Sequence, residues 1–267
     1  MAVVNLDPAL DNKTVILWYN HGERSATTVS AAGQLPGFAA TNVIDPATYN
    51  SWEANSSLSA RLEFAFNVPR IVKGVGIAAH TIGSSGATMG LRYSTDGATW
   101  ERAHLMSPTT DEDIFIILPT NMQYQYWDLN FSVAAPKVGV VFMGPVLTFP
   151  STPIDSYTPV HHSRQYTKQF NRSIQGQFLG NRVMGSGGTM SVQFPHITRS
   201  WVDGPLTGFE DHYNRGGTFF YAGWPGGKPQ DMAYAWPGSE DSIIDVEYVT
   251  ADKMATVGFD MQFYNQS

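Results

Sequence analysis

The sequence predicts an all-β protein in two parts, a sandwich followed by a second β-sandwich or barrel domain with one short helix. Three observations carry this. Short segments of alternating apolar and polar residues, separated by turn residues, recur from end to end. Only 15% of the residues are charged, while glycine (25), proline (16) and aromatic residues (13%) are plentiful, a mixture that favours strands and tight turns. The 267-residue length suits two domains at roughly 100–200 residues each, and a proline-rich stretch falls where a boundary is needed.

In the first half, strands are expected at Thr14–Tyr19, Arg61–Asn67, Gly74–Ala79, Thr88–Ser94, Asp113–Leu118, Tyr124–Phe131 and Lys137–Phe142. Seven strands suffice for a sandwich. Ser94-Thr95-Asp96-Gly97 is a tight-turn signal, because Asp and Gly tolerate the positive φ that hairpin turns demand. Four prolines between Phe142 and Val160 break regular structure, which places the boundary near Pro150 and the domains at 1–150 and 151–267.

The second half reads as strands Gln165–Phe170, Ser173–Gly180 and Thr189–Phe194, with Gly185-Ser186-Gly187-Gly188 as the turn of a hairpin. Pro205–Asn214 is the best helix. Pro205 fits its first turn, Leu206, Phe209 and Tyr213 share a face, and Gly216-Gly217 stop it. Strands at Thr218–Ala222, Ile243–Val249 and Thr256–Tyr264 close the chain, the last with apolar residues at every second position.

The balance of 16 Lys+Arg against 23 Asp+Glu argues against nucleic acid as a partner, since phosphate neutralisation needs surplus cations. No apolar run reaches the ~18 residues of a membrane span, so no membrane insertion is expected. With no cysteine, disulfides, thiolate metal sites and Cys nucleophiles are excluded together. Charge in the second half is uneven. Ser156–Val202 has no acid but holds Arg164, Lys168, Arg172 and Arg182, whereas the remainder holds ten acids, among them Asp245 and Glu247. These strands either pair within one domain or form a head-to-tail ring, a basic edge on one subunit meeting an acidic edge on the next.

Chemistry-bearing motifs are sparse. Glu210-Asp211-His212 project from different faces of the helix. His161-His162, read as extended, diverge, and Asp111-Glu112-Asp113 reads as a solvated loop. Gly185–Gly188 lacks the Lys-Ser/Thr of a phosphate loop, and Asn55-Ser56-Ser57 and Asn12-Lys13-Thr14 match only the glycosylation pattern. No catalytic residue, metal or cofactor is expected. Carbohydrate is the one small ligand with candidates: Tyr49 and Trp52 supply aromatic faces and His80 and Arg92 donors, although Trp52 also reads as a core plug.

The order Thr41-Asn42-Val43-Ile44-Asp45, Trp52, Leu62-Glu63-Phe64, Gly74-Val75-Gly76-Ile77, Tyr93-Ser94-Thr95-Asp96-Gly97-Ala98-Thr99-Trp100 and Tyr126-Trp127 resembles the discoidin or coagulation factor 5/8 type C modules. These are galactose-binding-like jelly rolls, in which the Ser-x-Asp-Gly-x-x-Trp element couples a turn to an aromatic core plug. The usual Asp before the first Gly is replaced by Glu63-Phe64-Ala65-Phe66, and the closing cysteine pair is missing. The junction Val138–Leu147 is similar to the segment that joins such a module to a second β domain in tail proteins of bacteriophages, where that second domain carries residues like Arg172-Ser173 and Phe219-Phe220-Tyr221.

The resemblances imply a non-enzymatic structural protein of a virion tail tip or baseplate, made in the host cytoplasm. Its expected partners are copies of itself in a ring and other tail proteins, with host-surface glycan touched by the jelly roll. The alternatives are a free-standing carbohydrate-binding protein or accessory module of a polysaccharide-degrading enzyme, and a hydrolase with a carboxylate pair from Glu210, Asp211, Asp231 or Glu240.

Overall fold

The computed structural model describes residues 3–23, 27–55, 60–132, 134–153, 157–249 and 253–264. The glycosylation serines Ser56 and Ser57 lie outside them. The chain is all-β, with two sheets and one short helix. The first half contributes β1 (Val3–Asn5), β2 (Val15–Leu17), β3 (Thr27–Ala32), β4 (Trp52–Glu53), β5 (Ala60–His80), β6 (Thr88–Ser94), β7 (Glu101–Met106), β8 (Ile114–Ser132), β9 (Lys137–Gly144) and β10 (Leu147–Thr148). The second contributes β11 (Arg164–Arg172), β12 (Phe178–Thr198), β13 (Phe219–Trp224), β14 (Lys228–Pro237), β15 (Asp245–Val249) and β16 (Met254–Tyr264).

The jelly roll is built on two strands long enough to serve both of its layers. β5 and β8 run antiparallel with register shifts between Ala65 and Arg70 and between Val72 and Gly74, and such irregularities bend a strand. Ala60–Ala65 pair with Tyr126–Phe131 in an outer layer flanked by β3, β6 and β7. Gly74–Ile77 pair with Ile114–Ile117 in an inner layer flanked by β9, β4 and β1. The sequence expectation of four separate strands here becomes two, because the bulged residues between them stay within the ladder.

Burial explains the two sequence textures. In the outer layer Leu62, Phe64 and Phe66 are buried and alternate with Arg61 and Glu63, the habit of a sheet with one wet face. In the inner layer Val72–His80, Ile114–Leu118 and Val138–Gly144 are buried without a break. One face packs on the sandwich core around Trp52, Trp127 and Phe131. The other packs on the second unit through Phe115, Ile117, Val140 and Phe142, which meet Leu17, Phe220, Ala222, Met232 and Tyr234. Gly76 is required there, since a Cβ would lie 2.4 Å from the Phe220 ring.

The second unit is one sheet in the order β10-β2-β13-β14-β16-β12-β11, with β15 also on β16. Its other face buries Met190, Val192, Phe194, Phe219, Tyr221 and Val257, Phe259, Met261 and Phe263 against the helix residues Leu206, Phe209 and Tyr213. Because β2 pairs with β13, the chain places a strand in the second sheet between β1 and β3 of the first, and residues 15–17 fall outside a division made at Pro150.

Two local expectations change. The helix begins earlier than Pro205: α1 (Arg199–Trp201) runs through a π-helical segment, Val202–Leu206, into α2 (Thr207–Asn214). Pro205 therefore lies inside the helix, where a widened turn accommodates a residue that lacks an N–H. Gly185–Gly188 is not a turn but part of β12, and the β11–β12 hairpin turns at Ser173–Gln177, with Gly176 at φ 82°. A Cβ at Gly188 would lie 2.3 Å from the Phe263 ring, so this glycine serves close packing.

Candidate functional site

From Thr167 to Val183 the hairpin of β11 and β12 stands clear of the body as a two-stranded arm. β12 pairs with β16 only from Gly187 onward, and before that its described partner is β11 alone. The β11 residues of the arm, Thr167–Arg172, span about 20 Å. Both faces of the arm are exposed, and they carry Phe170, Ile174, Phe178, Leu179, Val183 and Met184, with Phe178 and Leu179 at 64% and 65% exposure. A lone two-stranded ribbon is marginal in water, and a run of exposed apolar side chains costs free energy until covered.

Alternation places Arg164, Tyr166, Lys168, Phe170 and Arg172 on one face of β11, and Gln165, Thr167, Gln169 and Asn171 on the other. Arg164 faces Gly188, which faces Phe263, so the cationic and aromatic row continues the helix-covered face of the sheet. Arg182 sits opposite Gln169, on the other face. Lys168 lies over the Tyr166 ring at 5.7 Å, and Lys168, Arg172 and Arg182 form no ion pair among the described residues. Three strands away, β15 pairs with β16 and with no other described strand. Asp245 and Glu247 are exposed there, and Val246 and Tyr248 share the helix-covered face. The expected interface residues thus lie on two opposite free edges. Sequence reasoning did not foresee that the apolar burden sits on the arm between its cations.

Arg164 differs from the other three. At the base of the arm its guanidinium donates to Glu112 at 3.0 Å. The acidic run Asp111–Asp113 is accordingly no solvated loop. Asp111 accepts from Ser84 N at 2.8 Å, and buried Asp113 accepts from Tyr234 N at 3.0 Å, so the run joins the two sheets. Burial pushes the Asp113 carboxyl up to about 7, against the pull of its backbone donors.

The sugar candidates do not converge. Tyr49 is 81% exposed, but Trp52 is fully buried in the sandwich core beside Phe131, at 5.7 Å between ring centroids, and presents no face to a ligand. His80 is also fully buried. Its Nε2 donates to Glu112 O at 2.9 Å, and its Nδ1 accepts from Ile82 N at 3.2 Å, which fixes a neutral tautomer. Burial holds that imidazole down to about 4. Arg92 donates to both oxygens of buried Asp128, at 2.8 and 2.6 Å. The aromatic ring that does reach the surface nearby is Trp100, expected from the resemblance to be a core plug. It is half-buried, with the guanidinium carbons of Arg61 and Arg92 5.4 and 5.5 Å from its ring. The preceding turn is as expected. Ser94 Oγ accepts from the Asp96 and Gly97 amides, and the Asp96 carboxylate accepts from the Thr99 and Ala98 amides and from Ser94 Oγ, donors that hold its carboxyl down to about 2.

The remaining titratable groups serve the fold. His161 and His162 lie in tilted contact with centroids 4.0 Å apart instead of diverging, because Val160–His162 is a helical turn and not a strand. Asp211 pairs with Arg215 at 2.8 Å, and His212 is bonded to Thr218 O. Asp231 is buried beneath Tyr157 and the Val160 amide, and Glu240 borders a cavity of about 400 Å³ with Tyr213, Trp236 and Gln262. That cavity has one carboxylate in its lining.

Neither a family model nor a curated protein matches the chain. Among solved structures it is similar to a family 32 carbohydrate-binding module of a Clostridium perfringens family 89 glycoside hydrolase, at 17% identity and TM-score 0.41, over 47% of this chain and 98% of that one. A family 32 module of C. perfringens NanJ, solved in complex with galactose, matches at 11% identity and TM-score 0.41 over 49% and 98%. A pectin-binding module matches at 14% and 0.38 over 44% and 89%.

Proposed function

We propose that this chain is a structural subunit that couples to copies of itself in a ring, with its jelly roll carried as the displayed domain. The arm supports this reading: an unsupported ribbon with apolar side chains on both faces and three uncompensated cations is a connector awaiting its seat. A virion tail tip or baseplate is the setting that the resemblance of the Val138–Leu147 junction suggests, with other tail proteins as further partners. Mass photometry of the purified chain, read together with negative-stain images, tests the proposal. Closed rings are expected. A strict monomer at every concentration, alone and mixed with the products of neighbouring genes, overturns it.

A second reading, a carbohydrate-binding protein, is favoured by Trp100. A half-buried indole flanked by two guanidinium groups, with Tyr93 of β6 and Tyr124 of β8 in tilted contact 4.1 Å apart, offers a planar face edged by donors. In that reading host-surface glycan lies against the outer layer. A glycan array with the native chain and with Trp100→Ala separates the two: selective binding abolished by the substitution supports the sugar reading, and a blank array removes it.

A further inference from the structure

Resting on the self-coupling reading, we propose that the seat of the arm is the β15 edge of a second copy, so that β11 adds to β15 and the sheet runs unbroken from subunit to subunit. The two edges lie on opposite sides of β16 and are offset along it: β11 pairs with β12 at Phe178–Gly188, and β15 flanks β16 at Met254–Gly258, on the side that β14 takes farther along. Each of the two outer strands offers a row of backbone donors and acceptors with no described strand beside it. Two different edges of one molecule make a heterologous contact, and such a contact closes into a ring when the rotation allows.

The faces decide how the side chains meet. Residues opposite one another across a strand pair share a face, so the continued sheet sets the Arg164, Tyr166, Lys168, Phe170 and Arg172 row beside Val246 and Tyr248. Tyr166 and Phe170 gain apolar neighbours there. Asp203, which accepts from the Tyr248 hydroxyl at 3.3 Å and already pairs with Arg199 at 3.0 Å, borders that face. On the other face, Asp245 and Glu247 meet the donor-rich row Gln165, Thr167, Gln169 and Asn171, with Arg182 one strand behind. This corrects the simplest form of the charge argument. The β11 cations do not stand directly across from Asp245 and Glu247, but the two edges remain complementary as surfaces. Two β15 edges brought together would oppose acid to acid, and two β11 edges cation to cation, so head-to-tail order is favoured over either symmetric pairing.

The chain has no cysteine, which makes the pairing directly readable by cross-linking. Gln165, Thr167, Gln169 and Asn171, each changed to Cys in turn, are combined with Glu247→Cys and oxidised. All five positions are on exposed or half-buried strand residues, and circular dichroism with unchanged melting verifies the fold of each variant. At least one combination is expected to give a ladder of covalent multimers on a non-reducing gel, with closed species at its top, while each single variant gives no ladder. Rings without a ladder from any combination overturn the β11–β15 seat and leave the self-coupling reading standing. Cross-linked dimers from the β11 single variants point to arm-to-arm pairing and also overturn it. Absence of rings overturns both.

Discussion

The Arg164 guanidinium lies 3.0 Å from the Glu112 carboxylate, and this pair ties the first residue of β11, at the base of the arm, to the loop that carries Asp113 into the interface between the two sheets. The jelly roll thereby holds the arm at its root. Both side chains are about three-quarters buried, so the pair is expected to contribute about 1 kcal/mol. Glu112→Gln should lower the melting temperature slightly and accelerate amide exchange in residues 165–172. Unchanged exchange there would show that the arm stands without this tie.

Excising residues 167–185 and closing Tyr166 to Ser186 with an Asn-Gly turn removes the arm but leaves the body intact, because Tyr166 and Ser186 are already cross-strand partners. Stability of the shortened chain is expected to stay within about 0.5 kcal/mol of the native value, as for other surface changes. Assembly is expected to vanish in sedimentation velocity. Phe170→Ser with Phe178→Ser should weaken assembly and raise solubility, since both remove exposed apolar surface.

Trp52 and Trp100 should behave in opposite ways. Trp52→Ala opens a cavity in the sandwich core and is expected to cost about 3–5 kcal/mol, measured by urea unfolding. Trp100→Ala should leave the unfolding midpoint almost unmoved. Arg92→Ala groups with Trp52, because it leaves the fully buried Asp128 carboxylate with only Arg61, 3.8 Å away, a loss on the order of 3 kcal/mol.

Two buried groups give stability opposing slopes with pH. His80 is held near 4 in the folded chain against 6.5 when unfolded, so the unfolded chain binds more protons in between, and stability falls as pH drops from about 6.5 to about 4. Asp113 is raised from 3.8 to about 7, so the folded chain binds more protons in between, and stability falls as pH rises through that window. Asp113→Asn keeps an acceptor for the Tyr234 amide and cannot ionise. Its unfolding free energy is expected to gain on the native value between pH 4 and 7, and an identical pH profile for the two proteins would contradict the raised carboxyl.

Strands with one wet face are legible in the sequence. Thr88–Ser94 is found as expected, and the alternation of Val257, Phe259, Met261 and Phe263 is that of β16. The Ser94–Gly97 turn is legible for a similar reason, as its hydrogen bonds all lie within six residues. β14 escapes a sequence reading because Met232–Ala235 are buried on both faces and show no alternation. The arm escapes it because a glycine run signals a turn and a strand beneath an aromatic ring equally well, and only the position of Phe263 distinguishes them. His80 reads as a ligand donor because a polar residue at a strand end looks the same whether it meets solvent or a carbonyl.

Alternation, turn chemistry and charge are written in neighbouring residues, and they suffice for the fold class and the segregation of basic from acidic strands. Which surfaces are hidden is settled only when the chain has packed. Packing sends β2 into the second sheet, buries Trp52 and His80, brings Trp100 out beside Arg61 and Arg92, and leaves the β11 and β15 edges open. Each of these depends on contacts between residues far apart in the chain, and local sequence does not encode which distant partner fills a face or an edge.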